Sequence, residues 1–287
     1  MLRLLPSSLA NKLTVFVSAQ AIAIVSSAGK FNHHNSHKSS IICTPQSSQS
    51  AWQHALLQLD NLLGEFLTTY QIKPNTPLNI VLGSDLTRYV ALPAQAISMN
   101  LAEKNAYASA AFKEIHGSNA DDWQVVCNDA APHQAIVAAA IDEKLLQHLN
   151  QLALTHQLKL KSVKPYLMVA INSLAKQLAK TTGYLAIVEQ NRLTLIMLQQ
   201  GQCQQLHSHA IGGDWQAEIK HILMRETVLA DVAYRHVYIF APTFQNTALL
   251  IIDGWHITAI NQASKTNNIG RDDISNASRY AMLEAII

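Results

Sequence analysis

One succession of predicted elements occurs twice in this chain. Near residues 13–82, three strand-like pieces are followed by an amphipathic helix and a returning strand. Near 184–240 the same order comes back, without sequence identity between the copies. A repeat of this kind constrains the fold more than any single motif does. Each copy brings a strand back to its own sheet through a helix, so the chain is expected to be α/β, with mixed sheets, and not a helical bundle.

The first copy opens with Leu13–Val17, Ala21–Val25 and, after a polar loop, Ser40–Thr44, a meander. Pro45-Gln46-Ser47-Ser48 supplies capping residues for a helix in which Trp52, Ala55, Leu56, Leu59, Leu62, Leu63, Phe66 and Tyr70 recur at helical spacing. Lys73-Pro74-Asn75-Thr76-Pro77 stops it, and strand Leu78–Leu82 follows. The second copy runs through Tyr184–Val188, Arg192–Leu198 and, after Gln199-Gln200-Gly201, Gln202–His207. Asp214 is placed to N-cap the next helix, and strand Val237–Phe240 comes after it.

Between the copies, residues from about 86 to 157 read as a small inserted α/β subdomain. It holds strand Thr87–Leu92, a helix near Leu101–Ile115, strands near Trp123–Cys127 and Ala135–Ala140, and a helix from Asp142. A strand at Leu158–Val163 then leads to Pro165, which suits the first position of a helix running to about Leu178. Two halves are therefore expected, 1–160 carrying the insertion and 161–287.

With 287 residues, 49% of them apolar and only 14% charged, the chain suits a well-buried interior or faces covered by a partner. A net charge of +2 gives no nucleic-acid footprint. Cys43, Cys127 and Cys203 lie far apart and are odd in number, which fits buried small side chains in a reducing compartment. Arg3 and Lys12 before the apolar Leu13–Val25 and the small Ser26-Ser27-Ala28-Gly29 imitate a signal peptide, which makes a secreted binding protein the rival reading. Ser18 and Gln20 interrupt that run where two paired strands would turn, so a cytoplasmic mature N-terminus is expected. No apolar stretch reaches the roughly 20 residues of a membrane span.

The duplicated unit resembles the actin-like ATPase superfamily, also called ribonuclease H-like. Leu13–Val25 is similar to its first hairpin and Gly183–Leu198 to the equivalent hairpin of its second half, while His209–Ile219 ("HAIGGDWQAEI") looks like the Gly-Gly helix entry that follows. Within the superfamily the layout is most similar to the PilM and GspL group, cytoplasmic components of type IV pilus and type II secretion assemblies. There "SDLTRYVALP" (Ser84–Pro93) resembles the strand entering the inserted subdomain, and "VKPYLMVAINSLAKQL" (Val163–Leu178) the helix joining the halves.

That resemblance implies ATP and Mg²⁺ held by loops at the two hairpin tips. Such loops need glycine so that amides approach the phosphates, hydroxyls as further donors, and acidic residues to hold water around the metal. The first tip, Val17-Ser18-Ala19-Gln20, has one hydroxyl and neither glycine nor carboxylate. The second, Glu189-Gln190-Asn191-Arg192, again lacks glycine. Tyr238–Thr243 stands where the family has a glycine pair. With three departures together, no cofactor and no ATPase activity are expected. A nucleotide-binding alternative would rest on Ser18, Glu189, Gly212 and Gly213.

The other candidate groups have plainer explanations. His33, His34 and His37 lie close together, but without a cysteine or acidic neighbour in a zinc spacing, and read as a polar hairpin loop. His207 and His209 share a strand face with no third ligand evident. Asp121-Asp122 reads as a polar turn, and Asp85 with Arg88 as a surface pair. Helix 51–70 carries Leu57 and Leu67 off its apolar stripe, and the C-terminal "YAMLEAII" is either packed on its own domain or docked to a groove or a second subunit. The expected function is thus a non-catalytic cytoplasmic scaffold at the inner-membrane face. It would bind another protein of a pilus or secretion assembly in a groove, sought between the inserted subdomain and the first sheet.

Overall fold

A computed structural model describes residues 12–27, 37–43, 51–212, 214–229, 234–244, 250–260 and 282–283. The predicted capping stretch at 45–48, His33, His34, Gly213 and most of the C-terminal segment lie outside them.

The doubled element order is matched by a doubled sheet. In the first, strands β1 (Lys12–Val17), β2 (Ala21–Ser27), β3 (His37–Ile42), β4 (Pro77–Leu82) and β8 (Lys159–Pro165) lie in the order β3-β2-β1-β4-β8. In the second, β9 (Gly183–Val188), β10 (Arg192–Gln199), β11 (Gln202–Ala210), β12 (His236–Phe240) and β13 (His256–Ala259) lie in the order β11-β10-β9-β12-β13. The connections explain the hand of each pairing. Short turns make β1 antiparallel to β2 and β9 to β10, whereas helix α1 (Ala51–Thr69) and helix α5 (Trp215–Leu229) return the chain in parallel as β4 and β12.

The central strands are predominantly apolar because both faces are covered. Every residue of β9 is buried, as are five of the six residues of β1. In α1 the predicted stripe is the buried one: Ala55, Leu56, Leu59, Leu62, Leu63 and Phe66 are all at 8% exposure or less. Each such side chain contributes on the order of 1.5–3 kcal/mol when fully buried. Leu57, off the stripe, is exposed and Leu67 is half-buried. In the second sheet Trp215, Ile219 and Leu223 of α5 pack on Tyr184, Ala186, Leu193, Leu195 and Val237.

A third sheet, β5-β7-β6, is formed by β5 (Arg88–Leu92), β6 (Trp123–Cys127) and β7 (Ile136–Asp142), all antiparallel. It is covered by helix α2 (Leu101–His116), whose Ala108 and Phe112 join Leu92, Ile136, Ala138 and Ala140 in a separate core. Asn100 caps α2 and Glu103 completes a reciprocal capping box. Helix α3 (Glu143–Thr155) then leads into β8, and helix α4 (Tyr166–Leu178) into β9.

The chain divides into two compact units. One comprises the described residues of 1–86 with Lys144–Tyr166, the other Thr87–Glu143 with the described residues of 167–286. The three-stranded insertion therefore groups with the second large sheet, although in sequence it interrupts the first. Helix α3 groups with the first sheet, to which β8 is hydrogen-bonded.

The β10–β11 turn shows why one glycine is needed. Gln200 and Gly201 both have positive φ, 51° and 77°, the backbone of a two-residue hairpin turn. A Cβ on Gly201 would come within 2.6 Å of the Leu178 carbonyl oxygen and 2.7 Å of that of Ala179. Gly201→Ala is expected to destabilise the protein by at least about 2 kcal/mol in urea unfolding, while Gln200→Gly, which relieves a left-handed side chain, costs less than about 0.5 kcal/mol or stabilises.

Candidate functional site

The parallel pairing of β1 with β4 brings both C-terminal ends to one edge of the first sheet. The β1–β2 tip emerges there, beside the turn that follows β4. Gly83 N–H donates to the Val17 carbonyl at 2.8 Å, which fixes that turn against the tip. The turn then directs Asp85 onto the tip, and Ala19 N–H donates to Asp85 Oδ2 at 2.8 Å.

The remaining tip amides are also taken. Ser18 N–H donates to the Ala21 carbonyl at 2.9 Å, and Ser18 Oγ accepts from Ala21 N–H at 2.9 Å and from Gln20 N–H at 3.3 Å. The Ser18 hydroxyl in turn donates to the Ala21 carbonyl. Ser18, the one predicted hydroxyl donor of this tip, is buried and closes its own turn. The Gln20 carbonyl accepts from Cys43 N–H at 2.7 Å, which ties β3 to the same place. Burial, and then the Asp85 carboxylate, push the Cys43 thiol up to about 11.

The second unit closes its tip by a backbone bond. Glu189 N–H donates to the Arg192 carbonyl at 2.8 Å, closing the β9–β10 turn, and the Glu189 side chain is buried. Ile211 N–H donates to the Asn191 carbonyl at 3.0 Å, so the segment after β11 is laid against this tip. Beyond it the amides are again held by carboxylates. Gly212 N–H donates to Glu218 Oε1, and Asp214 Oδ1 accepts from Gln216 and Ala217 N–H at 3.1 Å each. Asp214 is thus the N-cap of α5, as its place in the sequence predicts. The structure therefore puts Glu189 and Gly212 at one tip region and Ser18 at the other; Gly213 lies outside the described residues.

Two acidic residues matter here that the sequence reading did not assign to the tips. Asp85 was expected to pair with Arg88; its Oδ2 accepts from a backbone amide 66 residues away, and Arg88 Nη1 donates to the Thr87 carbonyl. Glu218 sits one turn into α5 and reaches back to Gly212. The signal for Glu218 was local, a carboxylate four residues after Asp214. For Asp85 there was none, because the contact depends on strand register.

His207 and His209 lie on the α5 side of β11, since their register partners Leu195 and Leu193 belong to the core under α5. His207 Nε2 is 3.8 Å from Glu226 Oε2, and His209 Nδ1 is 3.5 Å from Arg225 Nη2. Burial, and then the Arg225 charge, hold His209 below the ordinary imidazole range. Glu226 continues the buried stripe of α5 as its one carboxylate, and Arg225 Nη2 contacts it at 3.3 Å. Among the described residues no three histidine, cysteine or acidic side chains are arranged to hold a metal. Asp121 pairs with Lys113 at 2.7 Å, consistent with a polar turn. Met282 and Leu283, the described part of the C-terminal segment, are buried.

Two outcomes are expected from the first tip. Asp85→Ala leaves the buried Ala19 amide without its acceptor and should cost about 1–3 kcal/mol in chemical unfolding. The Cys43 thiol, raised in the folded state, adds stability that is complete below about pH 9, where the unfolded chain also keeps its proton, and is lost as pH rises toward about 11. Stability measured across that window should fall, and Cys43→Ser should flatten the fall. Iodoacetamide at about pH 8 should spare Cys43 in the folded protein and modify it after unfolding.

No protein-family model matches this chain, and no curated protein is similar to it in sequence at a significant level. Solved structures do match. A Bacteroides thetaiotaomicron protein of unknown function with an actin-like ATPase fold is similar over 97% of this chain and 98% of its own, at TM-score 0.57 and 15% identity. The cytoplasmic domain of EpsL, an inner-membrane component of the Vibrio cholerae type II secretion system, matches over 96% and 94%, at TM-score 0.53 and 10% identity. A chain of a PilM–PilN type IV pilus biogenesis complex matches over 96% and 97%, at TM-score 0.61 and 11% identity. The chain has the actin-like fold: two like halves with mixed sheets and a small α/β subdomain inserted in the first.

Proposed function

We propose that this chain is a non-catalytic scaffold of the cytoplasm, working at the inner-membrane face, that binds another protein of a type IV pilus or type II secretion assembly. The observation that carries the non-catalytic part is the Asp85 carboxylate on Ala19 N–H. In this fold the tip amides are the groups with which a phosphate would be gripped, and here an internal anion already holds one of them. Ser18 Oγ and the Ala21 carbonyl hold the other three, and Glu218 and Asp214 do the same at the entry to α5. A phosphate arriving at either tip would have to break these bonds and face a carboxylate of its own sign. On this reading the tips do not fit a triphosphate.

The assembly part rests on likeness. The EpsL domain and the PilM chain share this fold over nearly their whole lengths; by name the first belongs to an inner-membrane component of a type II secretion system and the second to a type IV pilus biogenesis complex. Among the described residues no helix is long and apolar enough to cross a membrane, in keeping with attachment through a partner. The small net charge of +2 supports a protein partner over nucleic acid.

Calorimetric titration with ATP and Mg²⁺ tests the first part. No saturable heat is expected up to about 1 mM nucleotide, an affinity floor near −4 kcal/mol. Micromolar binding that disappears in Glu189→Ala would overturn the scaffold reading in favour of a nucleotide site built on Ser18, Glu189, Gly212 and Gly213. For the second part, purification of the tagged full chain from its native cells after crosslinking should recover a pilus or secretion component; a metabolic enzyme as the main partner would count against it.

A further inference from the structure

β5 and β11 are the outer strands of their sheets, and within the second unit they lie against each other. No backbone ladder joins them among the described residues. Where β5 ends, a groove of about 740 Å³ opens between them, lined by Pro93 and Ala94 on one side and by Gln204 to His207 of β11 on the other, with Arg225 and Glu226 of α5.

Four consecutive residues of a strand cannot all face a groove through their side chains, because these alternate between faces. With Met197 of β10 and Arg225 and Glu226 of α5 also in its lining, the groove crosses the α5 face of β11 and reaches its outer edge, where backbone groups are presented. The register says which. Ile211 N–H donates to the Asn191 carbonyl, so these two form a hydrogen-bonded pair, and the alternation of an antiparallel ladder then turns Gln205, His207 and His209 toward β10. The N–H and C=O of Leu206 and Ser208 point away from β10, to the outer edge, where Leu206 is 8% exposed at the groove and Ser208 is at the surface. Opposite them, Pro93 brings no N–H and Ala94 only a methyl group, which leaves room for a main chain.

Charge narrows what would enter. Glu226 is buried, its side chain only 6% exposed, and is already covered by Arg225 at 3.3 Å and His207 at 3.8 Å. The side chains of Arg225 and His207 are themselves 56% and 50% exposed. What the groove offers outward is thus the Arg225 guanidinium beside an imidazole, with the carboxylate behind them. A guanidinium has five N–H donors in a planar fork that suits a carboxylate.

We propose that this groove takes an extended segment of a protein partner, which adds its main chain to the β11 edge at Leu206 and sets an Asp or Glu side chain against Arg225. The segment's neighbouring side chains are small and apolar, to pass Pro93 and Ala94. This rests on the scaffold reading and gives it a surface distinct from the hairpin tips.

The test uses the full chain and a fluorescein-labelled peptide of about eight residues, alternating Val and Thr with one central Glu, beside the same peptide with a central Lys. Fluorescence anisotropy should show saturable binding of the Glu peptide at least about tenfold tighter than the Lys peptide, and Arg225→Glu should reverse the order. Because Arg225 is at the surface, that variant should fold; a circular dichroism melt checks it. N-methylation of alternate peptide amides, which removes ladder donors while keeping the side chains, should abolish binding. No saturable binding of either peptide, equal binding unmoved by Arg225→Glu, or full binding of the N-methylated peptide overturns the proposal. If Arg225→Glu leaves recovery of the native partner unchanged, the groove is wrong while the scaffold stands; nucleotide binding at the tips would sink the scaffold instead.

Discussion

Each half of this protein hangs on one strand that is hydrogen-bonded antiparallel on one side and parallel on the other. β1 holds β2 by a tight turn and β4 by a helix-linked return, and β9 holds β10 and β12 in the same way. Two consequences follow from this arrangement. The strand is buried on both faces, so β9 can be apolar at every position. The hairpin tip also leaves the sheet at the edge where the parallel neighbour ends, so whatever follows that neighbour is delivered to the tip. Asp85 reaches Ala19 for this reason, with 66 residues of chain between them.

That delivery decides the chemistry of the tip. A turn whose amides point outward is an anion site in waiting, and its strength depends on those amides being short of partners. In the first half a hydroxyl, a carbonyl and a carboxylate complete all four. In the second half the entry to α5 is completed by Glu218 and Asp214. On the scaffold reading the missing glycines and the carboxylates act together: the backbone does not close on a phosphate, and a side-chain anion fixes the turn.

The sequence carried the fold well because the fold is written in short-range pattern. Helical spacing from Ala55 to Phe66, the apolar runs of β1 and β9, and the turn residues Gln200-Gly201 all act within one or two elements of themselves. The site was legible only in what its tips lacked. What fills them was not, since the partner of Ala19 depends on the β1–β4 register and on the turn at Gly83. Sequence closeness suggested Arg88 as a partner for Asp85, but it could not show that a buried amide 66 residues away also needs that carboxylate as its acceptor. The pairing of His207 with Glu226 was hidden likewise, because α5 brings it from nineteen residues on.

On the scaffold reading, a tip closed by its own side chains, as the first one is, does not depend on a ligand to hold it. What it gains is constancy, which is what a binding platform needs, since a surface that is already ordered loses less entropy when a partner arrives. The same reasoning points to the sheet edges. Interior strands have spent their backbone groups on each other, and the helices have spent their apolar faces on the sheets. The outward N–H and C=O groups of outer strands such as β11 are directional chemistry that the second unit can still offer. Beside them, Arg225 stands over a buried carboxylate that holds it in place.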